Sequence, residues 1–211
     1  LWLVFVPAAS TFFGLVAAAV TDRIRWGNFA KAMIFMPMAI SFVGAAVIWK
    51  LVYGYRPAGQ QQIGILNAIW TSMVGEPQTW LTSPVVNSFL LMIVLVWLHT
   101  GFAMVILPAA LRGIPEATIE AAILDGASPF QIFMKIKVPQ IWGTILVVWT
   151  TITITVLKVF DIVLTMTNGQ WGTQVLANLM FDWMVRGNDT GGASTAAVVI
   201  MLMVTPVMIW N

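Results

Sequence analysis

Charge is absent from five long apolar runs that together make up about half of this 211-residue chain. An α-helix rises 1.5 Å per residue, so about 20 residues cross the roughly 30 Å hydrocarbon core of a bilayer. The runs therefore predict an all-α integral membrane protein with about five transmembrane helices. They comprise residues 1–20, 32–49, 85–111, 138–157 and 193–211.

The overall composition agrees with this class and excludes several others. Hydrophobic residues make up 60% of the chain and charged residues 9%, whereas a soluble domain carries about 25% charged residues. The net charge is only +2 and the basic residues do not cluster, so no nucleic-acid partner is expected. With no cysteine and a single histidine, the chain has no thiolate or multi-histidine metal site.

The polar links between the runs carry helix-boundary signals. Pro37 should bend the second transmembrane helix, because proline lacks the N–H that an interior helical bond needs. Ser83 and Pro84 form a favourable helix start, with serine as N-cap and proline at the first helical position. Thr173 is a candidate cap for a short helix near residues 175–183.

An amphipathic segment lies within the link at residues 53–84. Its pattern fits a short helix at the membrane surface, and it fits equally a helix packed against the bundle. Both interpretations stay open at this point. The apolar stripe consists of Ile63, Leu66, Ile69, Trp70, Met73 and Val74, and the opposite face of Gln62, Asn67, Thr71 and Ser72.

Basic residues are distributed unequally between the two sides of the predicted membrane. Five crossings place residues 22–31 and 112–139 on one side, and residues 53–84 and 161–192 on the other. Because Lys and Arg are enriched in cytoplasmic loops, residues 112–139 are predicted to be cytoplasmic in a multi-pass plasma or inner membrane protein. The first side holds Arg23, Arg25, Lys31, Arg112, Lys135 and Lys137, and the second holds Arg56 and Arg186, with Lys50 and Lys158 at helix ends.

Residues 112–139 form a polar island that holds six of the eighteen formal charges of the chain. Gly113 can end the third transmembrane helix, and Pro115 can open a short helix that continues to Leu124. Asp125-Gly126 then predicts a sharp turn, since glycine readily adopts a positive φ.

A second short helix is predicted after that turn. Ser128 and Gln131 form a capping box that starts it, and it should run to about Lys137. Pro139 is expected to separate this helix from the fourth transmembrane helix. The resulting helix–turn–helix is either a docking element that couples to a partner or a well-capped cytoplasmic loop, and the residue pattern leaves both open.

The stretch Glu120-Ala121-Ala122-Ile123-Leu124-Asp125-Gly126-Ala127 resembles the EAA signature of bacterial ABC importer permeases. Phe133 and Val138-Pro139 follow at the family's spacing, and Leu111-Arg112-Gly113-Ile114-Pro115 is similar to its lead-in. On these residues the chain resembles the transmembrane subunits of binding-protein-dependent ABC importers, which have the MetI-like fold.

This resemblance implies a set of partners. Residues 112–139 would be a coupling loop seated on cytoplasmic ATPase subunits, and a second permease subunit and a periplasmic or lipid-anchored solute-binding protein would complete the transporter. The chain would be a transport subunit without enzymatic activity or cofactor, and ATP and Mg²⁺ would bind to the partner ATPase. The motif assigns the coupling role to Glu120, Ala121, Ala122, Asp125, Gly126 and Pro139.

A second resemblance concerns the solute. Phe160-Asp161-Ile162-Val163 and Thr167-Asn168-Gly169 are similar to the carbohydrate branch of the family, which includes maltose and alpha-glucoside permeases. Gly169-Gln170-Trp171 departs from the Gly-Gly-Pro that is frequent there. The resemblance implies a sugar substrate, such as an oligosaccharide or alpha-glucoside. Motif spacing then places Leu95, Leu98, His99, Phe102, Thr155, Val156 and Val159 along the substrate pathway.

Each polar residue of this pathway also has a purely structural interpretation. His99 can be satisfied by a neighbouring carbonyl, and the threonines of the fourth run can bond back to the preceding turn. Lys158 and Asp161 are three residues apart, so they form either a surface pair on one helix face or part of the pathway.

Other functions are less compatible with the chain. It has no phosphate-binding GxxxxGK[ST] loop, so it is not itself the ATPase. The remaining alternatives are an importer of the same family for glycerol phosphate, a polyamine or an amino acid, and an ATPase-independent secondary transporter or channel. Both ends of the sequence lie inside apolar runs. We therefore expect residues 1–211 to be a single permease domain within a longer chain.

Overall fold

The computed structural model describes residues 1–21 and 24–210, and within them every regular element is helical. Asp22, Arg23 and Asn211, which belong to the predicted first link and last run, lie outside the described residues. The α-helices are α1 (Trp2–Thr21), α2 (Gly27–Phe35), α3 (Phe42–Val52), α4 (Ile65–Val74), α5 (Val86–Arg112), α6 (Glu116–Leu124), α7 (Pro129–Ile132), α8 (Val138–Gln140), α9 (Trp142–Leu157), α10 (Asp161–Met166), α11 (Leu176–Phe181) and α12 (Thr190–Trp210). A 3₁₀ turn at Met36–Ala39 and π-helical turns at Phe133–Lys137 and Asp182–Arg186 follow α2, α7 and α11.

Three of these helices, α1, α5 and α12, are each long and apolar enough to cross a membrane. Two bent helix pairs bring the number of spans in the described residues to as many as five. The prediction of an all-α integral membrane protein with about five spans is confirmed. Its details differ from the prediction in the second and fourth spans.

The second span is two helices rather than one bent helix. Gly27–Ala39 and Phe42–Val52 meet at 105°. Between them Ile40 has an extended backbone (φ −88°, ψ 135°), and the Ser41 Oγ accepts a hydrogen bond of 3.1 Å from the Gly44 N–H. Pro37 was expected to bend the helix, but the break lies three residues later, at Ile40, where a serine cap starts a second helix in a new direction.

The break before the fourth span was predicted at Pro139 and lies at Ile141. Pro139 lies within a continuous helical segment, in α8 directly after the π-helical turn Phe133–Lys137. The backbone leaves the helical region at Ile141 (φ −97°, ψ 12°), and the axis turns by 69°. The fourth transmembrane helix therefore begins at Trp142.

Two predicted N-caps are also wrong. The Ser83 hydroxyl donates to the Thr79 carbonyl, and α5 begins at Val86 without a side-chain cap. Thr173 donates to the Gln170 carbonyl, and α11 begins three residues later, again uncapped by a side chain. In both places the hydroxyl is already hydrogen-bonded within a local turn and does not cap the helix.

The core is built around α5, which packs against α1, α2 and α9. The helices approach so closely at Gly14 that an added Cβ would overlap the Ala103 Cβ. A similar approach brings Gly101 of α5 against the backbone of α2, where a Cβ would lie 2.7 Å from the Ile34 carbonyl oxygen. Small residues at these crossings permit dense backbone packing in a membrane bundle.

The amphipathic segment is the helix α4, and it docks through its polar side. Asn67 is fully buried and bonds to the Gly54 and Gln78 carbonyls, the Gln78 N–H and the Trp80 Nε1–H. Met73, on the apolar stripe, is 79% exposed. Packing of the whole stripe against the bundle is therefore excluded, and the outward apolar surface suits a membrane interface.

Candidate coupling loop and transport cavity

The turn between α6 and α7 is a Schellman motif centred on Gly126. Gly126 has φ +80°, and its N–H donates to the Ile123 carbonyl at 3.0 Å. The Ala127 N–H donates to the Ala122 carbonyl, also at 3.0 Å. These bonds satisfy carbonyls at the end of α6 and reverse the chain, as the Asp125-Gly126 signal predicts.

The start of α7 confirms the predicted capping box. Ser128 Oγ accepts a hydrogen bond from the Gln131 N–H at 3.3 Å, and Gln131 Oε1 accepts one from the Ser128 N–H at 2.8 Å. Pro129 occupies the first helical position. The helix predicted from Ser128 to Lys137 is present as α7 followed by a π-helical turn. Hydrogen bonds at both ends of the turn give this loop a defined shape. We call residues 116–140, from α6 to α8, the knob.

The knob exposes an unusual amount of apolar surface at its tip. Leu124 is 88% and Phe130 72% exposed, on either side of the Gly126 turn. The Glu120 and Asp125 carboxylates are exposed as well, and neither has a hydrogen-bond or ion-pair partner among the described residues.

The predicted coupling residues divide by burial. Ala122 is buried, and its carbonyl accepts the hydrogen bond from Ala127 that closes the turn. The others are exposed, namely Glu120, Ala121, Asp125, Gly126 and Pro139. An exposed apolar tip with flanking unpaired carboxylates has the chemistry of a docking surface.

A cavity of about 200 Å³ lies at the opposite end of α9. It is enclosed where α3 begins, α9 ends and α10 begins, with α5 behind it. Broken helices of this kind line the substrate sites of many transporters. Its walls are formed by Phe42, Leu95, Thr155, Lys158, Val159, Phe160, Asp161 and Ile162.

A second cavity, of about 220 Å³, adjoins the first across Phe42. The Phe42 ring stacks on His99, with 6.1 Å between ring centroids and 20° between planes. Met38, Ile40, Ser41 and Leu98 complete its wall. Phe42 therefore separates and lines both spaces.

The structure brings five of the seven predicted pathway residues to these two cavities. Leu95, Thr155 and Val159 line the first, and Leu98 and His99 the second. Phe102 and Val156 line neither, and Val156 belongs to the buried core. Phe42 and Phe160 were missed. The signal for Phe42 was present in the sequence, because Ser41 is a favourable N-cap shortly after Pro37.

His99 and Thr155 make the local backbone hydrogen bonds that the structural interpretation predicts. Each side chain still has an atom that can accept a further hydrogen bond. His99 Nδ1 lies 2.9 Å from the Leu95 carbonyl oxygen, so Nδ1 carries the proton and a neutral ring keeps Nε2 as an acceptor. The Thr155 hydroxyl donates to the Thr151 carbonyl, and its oxygen can still accept.

Lys158 and Asp161 do not pair on one helix face. α9 ends at Leu157, and Phe160 has a non-helical backbone (φ −138°, ψ −60°), so the helical three-residue relation is lost. Among the described residues no ion pair or hydrogen bond joins Lys158 to Asp161, yet both line the first cavity. Opposite charges thus face a common space.

Two helices join the cavity directly to the knob. α5 lines the cavity with Leu95 and ends at Arg112, about 26 Å further along its axis at 1.5 Å per residue. α9 begins at Trp142, immediately after the knob, and reaches the cavity at Thr155.

The described helices thus form a multi-span bundle with a polar cavity between broken helices and a helix–turn–helix knob. The chain belongs to the family of binding-protein-dependent transport system inner membrane components, whose sequence pattern matches residues 10–211. This family consists of transport components, and the resemblance found in residues 111–139 is confirmed.

Two curated relatives align with the whole chain. The alpha-glucoside transport system permease protein AglF of Rhizobium meliloti is 71% identical over 212 residues. The osmoprotective compounds uptake permease protein GgtC of a Synechocystis strain is 54% identical over 211 residues. The chain spans 63% of the length of AglF and 76% of that of GgtC.

Solved structures share the fold at low sequence identity. A bacterial alginate ABC transporter in complex with an alginate pentasaccharide-bound periplasmic protein matches 99% of this chain and 74% of its own, with a TM-score of 0.82 and 18% identity. The MetNI methionine ABC transporter in an inward-facing conformation matches with a TM-score of 0.64 over 99% of this chain and 88% of its own, at 18% identity.

Proposed function

We propose that this chain is the membrane-embedded core of a permease subunit in an ATP-driven importer that carries a sugar of the alpha-glucoside class into the cell. The observation that carries the proposal is the shared use of α5 and α9 by the cavity and the knob. The chain itself performs no bond chemistry; it supplies a route across the membrane and a mechanical link.

In this proposal the knob lies in the cytoplasm and binds a separate ATPase subunit, which holds ATP and Mg²⁺. Leu124 and Phe130 enter an apolar groove of that partner, and Glu120 and Asp125 meet its basic or N–H groups. Closure of the ATPase pair then moves α5 and α9 together. Gly126 and Pro139 keep the knob in shape during that movement.

The cavity has the chemistry expected for a sugar. Phe42 and Phe160 offer apolar ring surface to the C–H faces of a pyranose, and Lys158, Asp161 and Thr155 offer donors and acceptors to its hydroxyls. The relative AglF is a permease of an alpha-glucoside transport system, and its high identity over the full chain supports this substrate class. Leu95, Leu98, His99 and Val159 complete the route.

Import of an osmoprotective compound is a second candidate. It is favoured by the 54% identity to GgtC, whose name describes uptake of such compounds. Both candidates use the same cavity and coupling, so only the solute distinguishes them.

The family description implies a solute-binding protein as a further partner, and we propose that it delivers the sugar from the periplasmic side. A second permease subunit would enclose the other half of the route. These partners agree with the small size of the cavity within this one chain, which holds about 200 Å³.

The test is reconstitution of the full-length protein with its ATPase, second permease and binding protein in liposomes. Radiolabelled trehalose, sucrose, maltose and an osmoprotectant such as glucosylglycerol are offered with and without Mg²⁺-ATP. We expect ATP-dependent accumulation of at least one alpha-glucoside. Preferred uptake of the osmoprotectant would select the second candidate. Uptake that needs no ATPase subunit would overturn the proposal.

A further inference from the structure

The second cavity, beside the break in the second span, is about as large as the first. Its volume is about 220 Å³ and that of the first is about 200 Å³, and the Phe42 ring lines both. The proposed function assigns a sugar ring to the first cavity and no chemical group to the second. Two spaces of similar size that share one aromatic wall can hold two linked units of one solute.

The two cavities follow each other along α5. Leu95 lines the first cavity, and His99, four residues later on the same helix, lines the second. Four residues of an α-helix rise about 6 Å, and one pyranose ring has about this length. The spacing of the two cavities therefore matches consecutive units of a short saccharide.

The polar side chains of the two cavities differ in charge. Lys158 and Asp161 bring an ammonium group and a carboxylate to the first cavity. The polar side chains that line the second cavity, Ser41 and His99, are neutral. Hydrogen bonds to charged groups are stronger than those between neutral groups, so the first cavity suits the glucosyl ring with its free hydroxyls. The second cavity suits the unit that is attached to this ring.

Ser41 and His99 each keep one atom for a hydrogen bond to a solute. The Ser41 Oγ accepts a hydrogen bond of 3.1 Å from the Gly44 N–H, and no described residue accepts one from its own O–H. The His99 Nδ1–H donates to the Leu95 carbonyl at 2.9 Å, so Nε2 is an acceptor. The cavity thus offers one donor and one acceptor to the hydroxyls of a solute.

Apolar groups form the rest of the second cavity, namely Met38, Ile40, Leu98 and the Phe42 ring. The Phe42 ring stacks on His99, with 6.1 Å between the ring centroids. Aromatic and aliphatic walls of this kind suit the C–H faces of a sugar ring. An ionic group would meet no opposite charge among the residues that line this cavity.

We propose that the second cavity binds the unit attached to the glucosyl ring, so that the solute places one unit on each side of Phe42. This inference rests on the proposed function and specifies its substrate class. Because the two cavities have similar volumes, the attached unit is a second sugar ring rather than a small polyol. Ser41 and His99 are then the residues that determine specificity for this unit.

Binding is measured to the full-length protein in its assembled transporter, without the solute-binding protein, so that the affinity belongs to the membrane subunits. The ligands are radiolabelled trehalose, glucosylglycerol and methyl alpha-glucoside, whose attached units are a sugar ring, a glycerol and a methyl group. We expect the affinity to fall in that order, because a smaller attached unit leaves the second cavity less filled. Equal affinity for all three ligands would contradict the assignment.

Two tryptophan variants of one turn test whether the second cavity is occupied. Met38 lines this cavity and is 39% exposed, so Met38→Trp can fill it without overpacking the core. It should weaken trehalose binding about tenfold, since both hydrogen bonds of the second cavity are lost, and methyl alpha-glucoside binding much less. An inert Met38→Trp, or equal weakening of the two ligands, would refute a separate site. Met36→Trp is the matched control and should leave both affinities unchanged, because Met36 lies in the same 3₁₀ turn and lines neither cavity.

A variant of His99 tests the same site without filling it. His99→Phe keeps a planar ring against Phe42 and removes the Nε2 acceptor. Trehalose should bind about two- to tenfold more weakly to this variant, and methyl alpha-glucoside should be affected much less. An equal loss of both ligands would make His99 a structural residue and remove it from the specificity role.

ATP-driven uptake in liposomes distinguishes failure of this inference from failure of the proposed function. If the wild-type transporter accumulates an alpha-glucoside while the Met38→Trp and His99→Phe variants bind trehalose normally, only the second site is refuted. If the wild-type transporter neither binds nor accumulates any alpha-glucoside, the proposed function fails and this inference fails with it.

Discussion

Gly126 determines the shape of the knob because the chain reverses there with a positive φ. An added Cβ would meet no atom within 4 Å, so only the backbone conformation, and no neighbour, opposes a side chain. Residues other than glycine pay about 1–2 kcal/mol in this region, with Asn and Asp the least penalised. The open space around Gly126 belongs to the exposed tip of the knob, where a partner would dock.

The first prediction compares Gly126→Asp with Gly126→Asn. Both side chains tolerate the turn, but the aspartate places a charge beside the unpaired Asp125 on the docking surface. We expect Gly126→Asp to insert normally into the membrane and to reduce ATP-driven uptake by about tenfold or more, since docking would bury an extra charge that has no partner of its own, at a cost of about 2–5 kcal/mol. Gly126→Asn should retain more activity. Native uptake by the aspartate variant would remove Gly126 from the coupling role.

Thr155 and Thr151 differ in their surroundings although both bond back to the preceding turn of α9. Thr155 lines the first cavity, whereas Thr151 does not. Valine has nearly the same shape as threonine, so it removes the hydroxyl without opening space.

The second prediction follows from this pair. Thr155→Val should raise the KM for sugar uptake by about two- to tenfold, because one neutral hydrogen bond contributes about 0.5–1.5 kcal/mol. Thr151→Val is the matched control and should leave KM unchanged. Uptake kinetics in proteoliposomes measure both values, and an equal response of the two variants would place the sugar elsewhere.

Broken helices distinguish this bundle from a set of straight spans. The breaks at Ile40-Ser41 and at Lys158–Phe160 bring the start of α3 and the end of α9 to one cavity. The close crossing of α1 and α5 at Gly14 then holds these elements in a single arrangement.

The third prediction concerns that crossing. Gly14→Ala should lower the free energy of unfolding by about 1–3 kcal/mol, because the new methyl group overlaps the Ala103 Cβ. Combining it with Ala103→Gly should recover part of the loss. The control Gly143→Ala places a methyl group on α9 with no atom within 4 Å and should stabilise by up to about 1 kcal/mol. Equilibrium unfolding in mixed micelles gives these values, and equal effects at both glycines would refute the close crossing.

At the scale of the whole molecule, the cavity lies at the end of α9 that is remote from the knob, beside Leu95 of α5. The excess of basic residues on the knob's side predicts that this side is cytoplasmic. Residues 1–211 contain no cysteine, so they contribute no background labelling when single cysteines are introduced to report on topology.

The fourth prediction uses two such cysteines, at exposed alanines on the two predicted sides. In intact cells, a membrane-impermeant maleimide should label Ala58→Cys, and Ala117→Cys should react only after permeabilisation. Labelling in the reverse order would invert the topology, and labelling of both in intact cells would show that the two links share one side.

The amino-acid sequence by itself determined the class, the number of spans and the shape of the knob. Apolar run length is decided by bilayer thickness, and the Gly126 turn and Ser128 capping box depend on hydrogen bonds within five residues. Only the tertiary structure decided which pathway residues share a cavity, why Phe42 belongs there, and where the second and fourth spans break. These features depend on the angles at which α3, α5 and α9 pack, and residues far apart in the chain set those angles.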